Sequence, residues 1–164
     1  MPKRKAVVPI HREKVTRYNV FAQAAIQRHR EAHILLEDGG YIGAIYLGGY
    51  VIECYLKYLI CERYNVIHLD DWESEVEQKT GIRPQATSAR GHFLEVLLDY
   101  AGLAGLLRRN AKAYAAFQIV NQWHVGLRYY PSTTFRRNAE RFLEAVELTR
   151  RWLLTQTFKW KGRR

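Results

Sequence analysis

The sequence predicts an all-α protein, an antiparallel bundle of four long helices plus one short helix. Apolar residues recur at helical spacing along most of the chain, and no run of strand-like alternation appears. One stretch, Tyr41–Ile60, is apolar in every direction around a helical wheel, and such a helix is buried either in a bundle or in a membrane. The length of 164 residues suits one domain with a single core around that helix.

The composition of this central helix weighs against a membrane span. Its twenty residues are enough to cross a bilayer, but Glu53 and Lys57 each disfavour insertion by roughly 2.5–3.5 kcal/mol near the centre of a span. Its five tyrosines are spread along it rather than gathered at its ends. We therefore predict a buried bundle helix and no membrane association.

The two cysteines bear on the cellular compartment. Cys54 and Cys61 lie seven residues apart on the central helix, which places them about 10 Å apart along its axis. That separation is too long for a disulfide between them. We therefore predict buried thiols in a reducing compartment, and hence a cytoplasmic protein.

The first part of the chain leads into the central helix through a short turn. Residues 1–12 are predicted as a flexible basic arm, 13–158 as the helical domain and 159–164 as a basic tail. The first helix runs from about Glu13 to Glu37 and ends at Asp38-Gly39-Gly40, where glycine suits a left-handed cap. A turn this short makes the first two helices antiparallel neighbours.

An irregular excursion and two more helices follow the central helix. Residues 66–90 begin acidic and are predicted to hold a short helix around Asp71–Lys79. The short helix His92–Tyr100 then precedes a fourth helix over about Leu103–Trp123. The predicted inward stripe of that fourth helix is Leu103, Leu106, Leu107, Asn110, Tyr114, Phe117 and Asn121.

The last helix follows a connector of mixed polar and aromatic residues. The connector, His124–Pro131, ends at a proline that disfavours helical geometry just before it. Ser132 or Thr133 is predicted to cap the last helix, which runs to about Thr157. Its predicted inward residues are Phe135, Ala139, Phe142, Val146 and Leu153.

The net charge of +10 is concentrated at the two ends of the chain. Residues 1–12 and 159–164 each carry four basic and no acidic side chains, so the residues between them hold the remaining +2. Lysine and arginine release condensed counterions from a partner that carries phosphates, so such ends suit a nucleic acid. The alternative is that short basic ends serve only to keep the protein soluble.

Four pieces of sequence occur in an order that resembles the HEPN family (higher eukaryotes and prokaryotes nucleotide-binding). They are the turn LLEDGGY, Glu53 before Leu56-Lys57, the helix start His92-Phe93-Leu94, and the connector Arg128-Tyr129-Tyr130-Pro131, which holds an extra tyrosine. Together they span roughly residues 17–155. The resemblance implies a HEPN-like antiparallel bundle, usually a homodimer whose functional groove lies at the dimer interface.

The same resemblance implies a function. Many such domains accompany a separately encoded nucleotidyltransferase-like partner in toxin–antitoxin or defence systems, so we predict an RNA- or nucleotide-binding protein. A subset are metal-independent ribonucleases with Arg-x(4–6)-His on the penultimate helix. Here the nearest string runs from Arg109 to Tyr114, with tyrosine in place of histidine, while the spacing of Arg28 and His33 fits but falls on the first helix.

Whether the protein is an enzyme therefore stays open. One alternative is a metal-independent ribonuclease with a composite site across the homodimer, for which Arg109 with Tyr114 is one candidate catalytic pair. Another is a non-catalytic structural partner of a separately encoded protein.

The connector holds the densest group of polar and aromatic side chains. Arg128 offers a planar fork for phosphate, and Tyr129 and Tyr130 offer faces on which bases stack. His124 titrates near neutrality and could take a proton from a ribose 2′-hydroxyl, so His124 and Arg128 are the other candidate catalytic pair. The alternative is a tertiary clamp, in which Arg128 bonds helix-end carbonyls and Tyr129 packs inward.

Two further pairs are candidates for binding a nucleotide or RNA. Glu53 and Lys57 are spaced i,i+4, so they either contact a nucleotide or form a satisfied buried pair. Arg108 and Lys112 could line one basic groove with arginines of the last helix, or lie on solvated faces.

The remaining histidines carry weaker signals. His29 and His33 are spaced i,i+4 and could share a metal, but two ligands make a weak site and a solvated face explains them. His92 is predicted to cap or pack at a helix start. The sequence has no glycine-rich phosphate loop, paired catalytic carboxylates or nucleophile motif, so we predict neither a metal nor a cofactor.

Overall fold

The structure is a computed structural model that describes residues 17–66, 72–83, 92–131 and 133–161, without the side chains of Trp72 and of 158–161. Every regular element within these ranges is helical, which confirms the all-α prediction. The predicted arm, residues 1–12, lies outside the described residues, as do Ser132 and the last three residues of the predicted tail.

The described chain forms three long helices and several short ones. The elements in chain order are α1 (Asn19–Glu37), α2 (Tyr41–Tyr64), α3 (Trp72–Thr80), α4 (Leu94–Tyr100), α5 (Ala104–Arg108), α6 (Ala111–Val120), a 3₁₀ helix (Val125–Tyr129) and α7 (Arg136–Lys161). The turn after α1 is the predicted one: Gly39 adopts φ +83° and the Gly40 amide bonds the carbonyl of Leu35 at 2.8 Å.

Helix α2 is the centre of the fold, as its sequence predicts. It packs against α1, α7, α4 and the 3₁₀ helix, so apolar residues on all its sides are buried. Close approach depends on two glycines: Gly48 lies against Phe142 and Leu143 of α7, and Gly49 lies against the ring of Trp123. Side chains larger than hydrogen would not fit there without movement.

The same helix has the length and mean hydropathy, 1.2, of a candidate membrane span. However, 67% of that hydropathy window is buried inside the protein. Burial of this extent against other helices of one chain is what the core helix of a bundle shows.

The prediction of one continuous fourth helix is wrong. The segment breaks at Arg109-Asn110 into α5 and α6, because Asn110 has extended backbone angles and its Oδ1 accepts the amide of Ala113 at 3.0 Å. Asparagine competes for the helix backbone in this way and favours an N-cap over a helix interior. Asn110 is therefore a cap and not part of the inward stripe, and Leu106 and Tyr114 are also exposed.

The start of the last helix also differs from the prediction. Helix α7 begins at Arg136, beyond Thr133, and continues past Thr157 to Lys161. Phe135 precedes the helix and is 69% exposed, so its predicted inward position is wrong. The guanidinium of Arg137 lies 5.5 Å from its ring. The other four predicted inward residues, Ala139, Phe142, Val146 and Leu153, are buried.

Candidate functional site

A stripe of polar side chains runs along one face of the otherwise apolar helix α2. Tyr46, Tyr50, Glu53 and Lys57 recur at intervals of four, three and four residues, which places them on one side of a helix. We call these four residues the polar stripe. Its two ends meet different parts of the chain: Lys57 and Glu53 lie below the start of α4, and Tyr46 lies beside the 3₁₀ helix.

The lower end of the polar stripe is a buried ion pair with a third member. The Lys57 ammonium donates to Glu53 Oε1 at 2.6 Å, and Glu53 is only 3% exposed. The other carboxylate oxygen, Oε2, lies 3.0 Å from Nδ1 of His92. The ring of Phe21 lies 6.0 Å from the ammonium and helps to cover it. Both oxygens of Glu53 are therefore occupied, as a buried carboxylate requires.

These contacts fix the tautomer of His92. A carboxylate that accepts a bond from an ammonium is ionised and offers no proton, so Nδ1 of His92 must be the donor. In the neutral ring, Nε2 is then an acceptor. His92 does not cap α4. It makes the predicted alternative, a packing contact, because its bond with Glu53 ties the start of α4 to α2 while its side chain stays 31% exposed.

The upper end of the polar stripe is an aromatic cluster. Trp123 is buried, and its Nε1 donates to the carbonyl of Tyr46 at 3.0 Å. The rings of Tyr46 and Tyr50 meet edge to face at 5.0 Å, as do those of Tyr50 and Trp123. The hydroxyls of Tyr46 and Tyr50 lie 3.2 Å apart. This packing holds the two tyrosine hydroxyls at fixed positions beside the 3₁₀ helix.

Arg128 projects from the 3₁₀ helix next to this cluster. Its guanidinium lies 4.7 Å from the centre of the Tyr129 ring. Interactions with the hydroxyls of Tyr46 and Tyr129 raise the pKa of Arg128, and an arginine is positively charged in any protein. Among the described residues, no carboxylate forms an ion pair with it. Arg128 is therefore a cation held beside two tyrosine hydroxyls, with no acidic partner in the described part of the chain.

Two tyrosines beside Arg128 face solvent. Tyr129 is 74% exposed and Tyr130 is 57% exposed. The expectation that Tyr129 packs inward as part of a tertiary clamp is therefore wrong. The ring of His124 meets that of Tyr130 edge to face at 6.1 Å, and His124 is itself exposed. We call Arg128, Tyr129 and Tyr130 the arginine–tyrosine patch.

Tyr50 connects the patch to the lower end of the polar stripe. Burial raises the pKa of its hydroxyl most, its bond with Tyr46 adds to this, the charge of Glu53 adds further and the charge of Arg128 opposes it. Tyr50 thus lies within electrostatic reach of both Glu53 and Arg128.

The second candidate catalytic pair lies away from this surface. Arg109 and Tyr114 flank the start of α6, and Arg108 and Lys112 are exposed in the same region. Arg108 and Arg109 precede the ten residues of α6 and Trp123 follows them, and a helix of that length spans about 15 Å. In the described part of the chain, no hydrogen bond or ring contact joins Arg109 to Tyr114.

The predicted basic groove is partly neutralised, since Arg136 of α7 forms ion pairs with Glu37 at 3.0 Å and with Glu140 at 2.7 Å.

The histidine pair on α1 has partners of its own. The rings of His29 and His33 meet at 4.7 Å, and His29 Nε2 lies 3.2 Å from a carboxylate oxygen of Glu147. Burial lowers the pKa of His29. Across the residues that the structure describes, no group of three or more histidine, cysteine, aspartate or glutamate side chains could hold a metal ion.

Sequence reasoning did not find the full membership of this surface. The sequence predicts no functional role for Tyr46, Tyr50 or Trp123, and it does not link His92 to Glu53. The regular spacing of Tyr46, Tyr50, Glu53 and Lys57 on one face of a buried helix was the available signal. The contact of His92 spans 39 residues and has no sequence signature.

Comparison of the chain with protein-family models, with curated proteins and with solved structures finds no match. The resemblance to the HEPN family therefore stays a prediction from the sequence. The polar stripe and the arginine–tyrosine patch are the features of the structure that bear on function.

Proposed function

We propose that the protein is a HEPN-like domain that binds RNA or nucleotides through the arginine–tyrosine patch. The observation that carries this proposal is Arg128, a guanidinium without a carboxylate partner among the described residues, held beside two exposed tyrosine rings. Two exposed tyrosine rings beside an arginine that has no carboxylate partner among the described residues form a surface that suits a ligand with a phosphate and a base.

The chemistry of the patch suits a phosphate and an unpaired base together. A guanidinium binds phosphate oxygens through its planar fork. A base stacks on a tyrosine face with a gain of about 1–3 kcal/mol. Bases are available for such stacking in single strands but not inside a duplex, so we propose single-stranded RNA or a free nucleotide as the ligand.

The wider context of the proposal rests on the sequence resemblance. It comprises a HEPN-like four-helix arrangement, a homodimer, a cytoplasmic location, a toxin–antitoxin or defence setting and a nucleotidyltransferase-like partner protein. The net charge of +10 supports a partner that carries phosphates.

Binding of a labelled single-stranded RNA by the full-length protein tests the proposal, with Arg128→Ala and Tyr129→Ala as variants. Loss of a charge-assisted phosphate contact or a stacked base is expected to weaken binding about tenfold in each. The matched control is Arg63→Ala, since Arg63 also lies over a tyrosine ring, at 5.4 Å from Tyr64, but at the far end of α2. Equal losses in Arg128→Ala and Arg63→Ala would show that only net charge matters.

A metal-independent ribonuclease is the second candidate function. It is favoured by exposed His124, which lies four residues before Arg128 and against Tyr130. RNA cleavage in the presence of EDTA that is lost in His124→Ala would support it. Binding without cleavage would support a binding domain. Absence of both binding and cleavage would support a structural partner of another protein.

A further inference from the structure

The lower end of the polar stripe holds a histidine, His92, whose side chain is 31% exposed and whose Nδ1 is bonded to Glu53. Glu53 holds Nδ1 of His92 at 3.0 Å, so the ring cannot rotate without breaking a bond to a buried carboxylate. The acceptor is Nε2, and the described residues provide no partner for it. A carboxylate that orients a histidine in this way sets both its tautomer and its direction.

The local charge determines what Nε2 can bind. The opposite charges of Glu53 and Lys57 lie 2.6 Å apart and offset each other. An anion gains little at such a place, and a metal would have a single ligand. The complementary group is a neutral hydrogen-bond donor, either a hydroxyl or an amine.

The separation between the upper and lower ends of the polar stripe matches the length of a short stretch of nucleic acid. Tyr46, beside Arg128, and Glu53, beneath His92, are seven residues apart on α2, which is about 10 Å along the helix axis. Stacked nucleotides rise by about 3.4 Å each. A strand that runs along this face of α2 would therefore pass from Tyr46 to Glu53 in about three nucleotides.

We propose that Nε2 of His92 accepts a hydrogen bond from a ribose 2′-hydroxyl, so that the protein distinguishes RNA from DNA. This inference rests on the proposed function and narrows its ligand to a ribonucleotide strand. The 2′-hydroxyl is the donor that every ribonucleotide carries and that DNA lacks. His92 is a specificity-determining residue in this scheme, and Glu53 is the residue that positions it.

Three strands of one sequence test the inference at about pH 8: RNA, DNA and 2′-fluoro RNA, which keeps the sugar conformation of RNA but cannot donate. The wild-type protein is expected to bind RNA about fivefold more tightly than the other two, the worth of one neutral hydrogen bond. In His92→Ala this ratio falls to about one while the affinity for DNA stays unchanged. His33→Ala, which removes an exposed histidine on α1, is expected to keep the full ratio.

Each other outcome overturns the inference in a recognisable way. An unchanged ratio in His92→Ala shows that His92 does not read the sugar, although the proposed function stands. Equal weakening of RNA and DNA shows that the donor is a base amine. Binding of 2′-fluoro RNA as tight as that of RNA shows that strand shape is read instead. Absence of binding to all three strands overturns the proposed function together with the inference.

Discussion

At the scale of single residues, the buried ion pair of Glu53 and Lys57 makes stability sensitive to the loss of either partner. In Glu53→Ala, the ammonium of Lys57 stays buried without its carboxylate, and His92 loses its anchor. Breaking one side of a buried pair costs about 3–5 kcal/mol. We expect the free energy of unfolding, measured by urea titration with circular dichroism, to fall by that amount.

The double variant Glu53→Leu with Lys57→Met provides the control. Both charges are then replaced by apolar side chains of similar volume, which is often neutral or stabilising at buried sites. Its stability is expected to lie much closer to the wild type than that of Glu53→Ala. A loss below about 1 kcal/mol in Glu53→Ala would mean that water reaches Lys57 and that the pair is not buried in solution.

Glu147 of α7 makes stability depend on acid pH. Hydrogen bonds from Arg150 lower the pKa of its carboxyl to about 2, against the opposing effect of burial, and Arg151 adds a further bond. A carboxyl with a pKa below its ordinary value of 4.5 stabilises the folded state above that value. This stabilisation is lost as the pH falls from about 4.5 towards 2.

We therefore expect the free energy of unfolding of Glu147→Gln at pH 7 to be about 1–2 kcal/mol lower than that of the wild type, after allowance for partial solvent screening. Urea titrations at a series of pH values should show this difference shrinking below about pH 4.5. Glu144→Gln, at an exposed position one turn earlier, should give no such pH dependence. A difference that stays constant down to pH 3 would exclude a lowered pKa as its cause.

Some contacts of single residues can be predicted from the sequence, and others cannot. The spacing of Glu53 and Lys57 predicts their pairing, because i,i+4 neighbours on a helix always come close. The third member, His92, is 39 residues away. Its arrival at Glu53 depends on how α4 packs on α2, which no local pattern encodes.

At the scale of elements, the packing of α2 depends on Gly49. A Cβ at this position would overlap the ring of Trp123, which is buried and anchored to the carbonyl of Tyr46. Alanine gains about 1 kcal/mol over glycine in an open helix, but overpacking a core costs typically 1–3 kcal/mol and more where backbone must move. We expect Gly49→Ala to lower the thermal midpoint and the free energy of unfolding.

Gly105 offers the matched control, because a Cβ built on it has no atom within 4 Å and it also lies in a helix, α5. Gly105→Ala is expected to raise stability by about 0.5–1 kcal/mol. Equal effects of the two substitutions would indicate that Trp123 does not pack against α2 as the structure shows.

Elements were predicted well where one periodic pattern dominates. Helices α1 and α2 have a continuous apolar period and a glycine turn between them, and both are present. The end of α1 and the start of α2 are the predicted ones, but α1 begins at Asn19 rather than near Glu13, and α2 continues beyond Ile60 to Tyr64. The prediction of a continuous helix around Asn110 is wrong because two sequence signals compete there. The apolar period continues through the asparagine, but its side chain caps α6 and interrupts the helix.

At the scale of the whole molecule, the distribution of charge predicts two separate contributions to the proposed RNA binding. The arginine–tyrosine patch and His92 lie on the helical body, whereas residues 1–12 carry four basic side chains and no acidic ones. Contacts with a fixed geometry give specificity, and counterion release by mobile or fixed cations gives affinity that falls with salt. The two contributions should therefore be removable independently.

Deletion of residues 1–12 tests this separation. If all four cations contact phosphates of a single strand, the slope of log K against log salt should become shallower by up to about 3, at roughly 0.7 per contact. The preference for RNA over DNA should stay at its full-length value, since the deletion leaves His92 and Glu53 in place. Fluorescence anisotropy over 50–300 mM KCl measures both quantities. An unchanged slope would mean that the arm serves solubility alone, and a lost preference would mean that the strand is read by the arm rather than by the surface of α2.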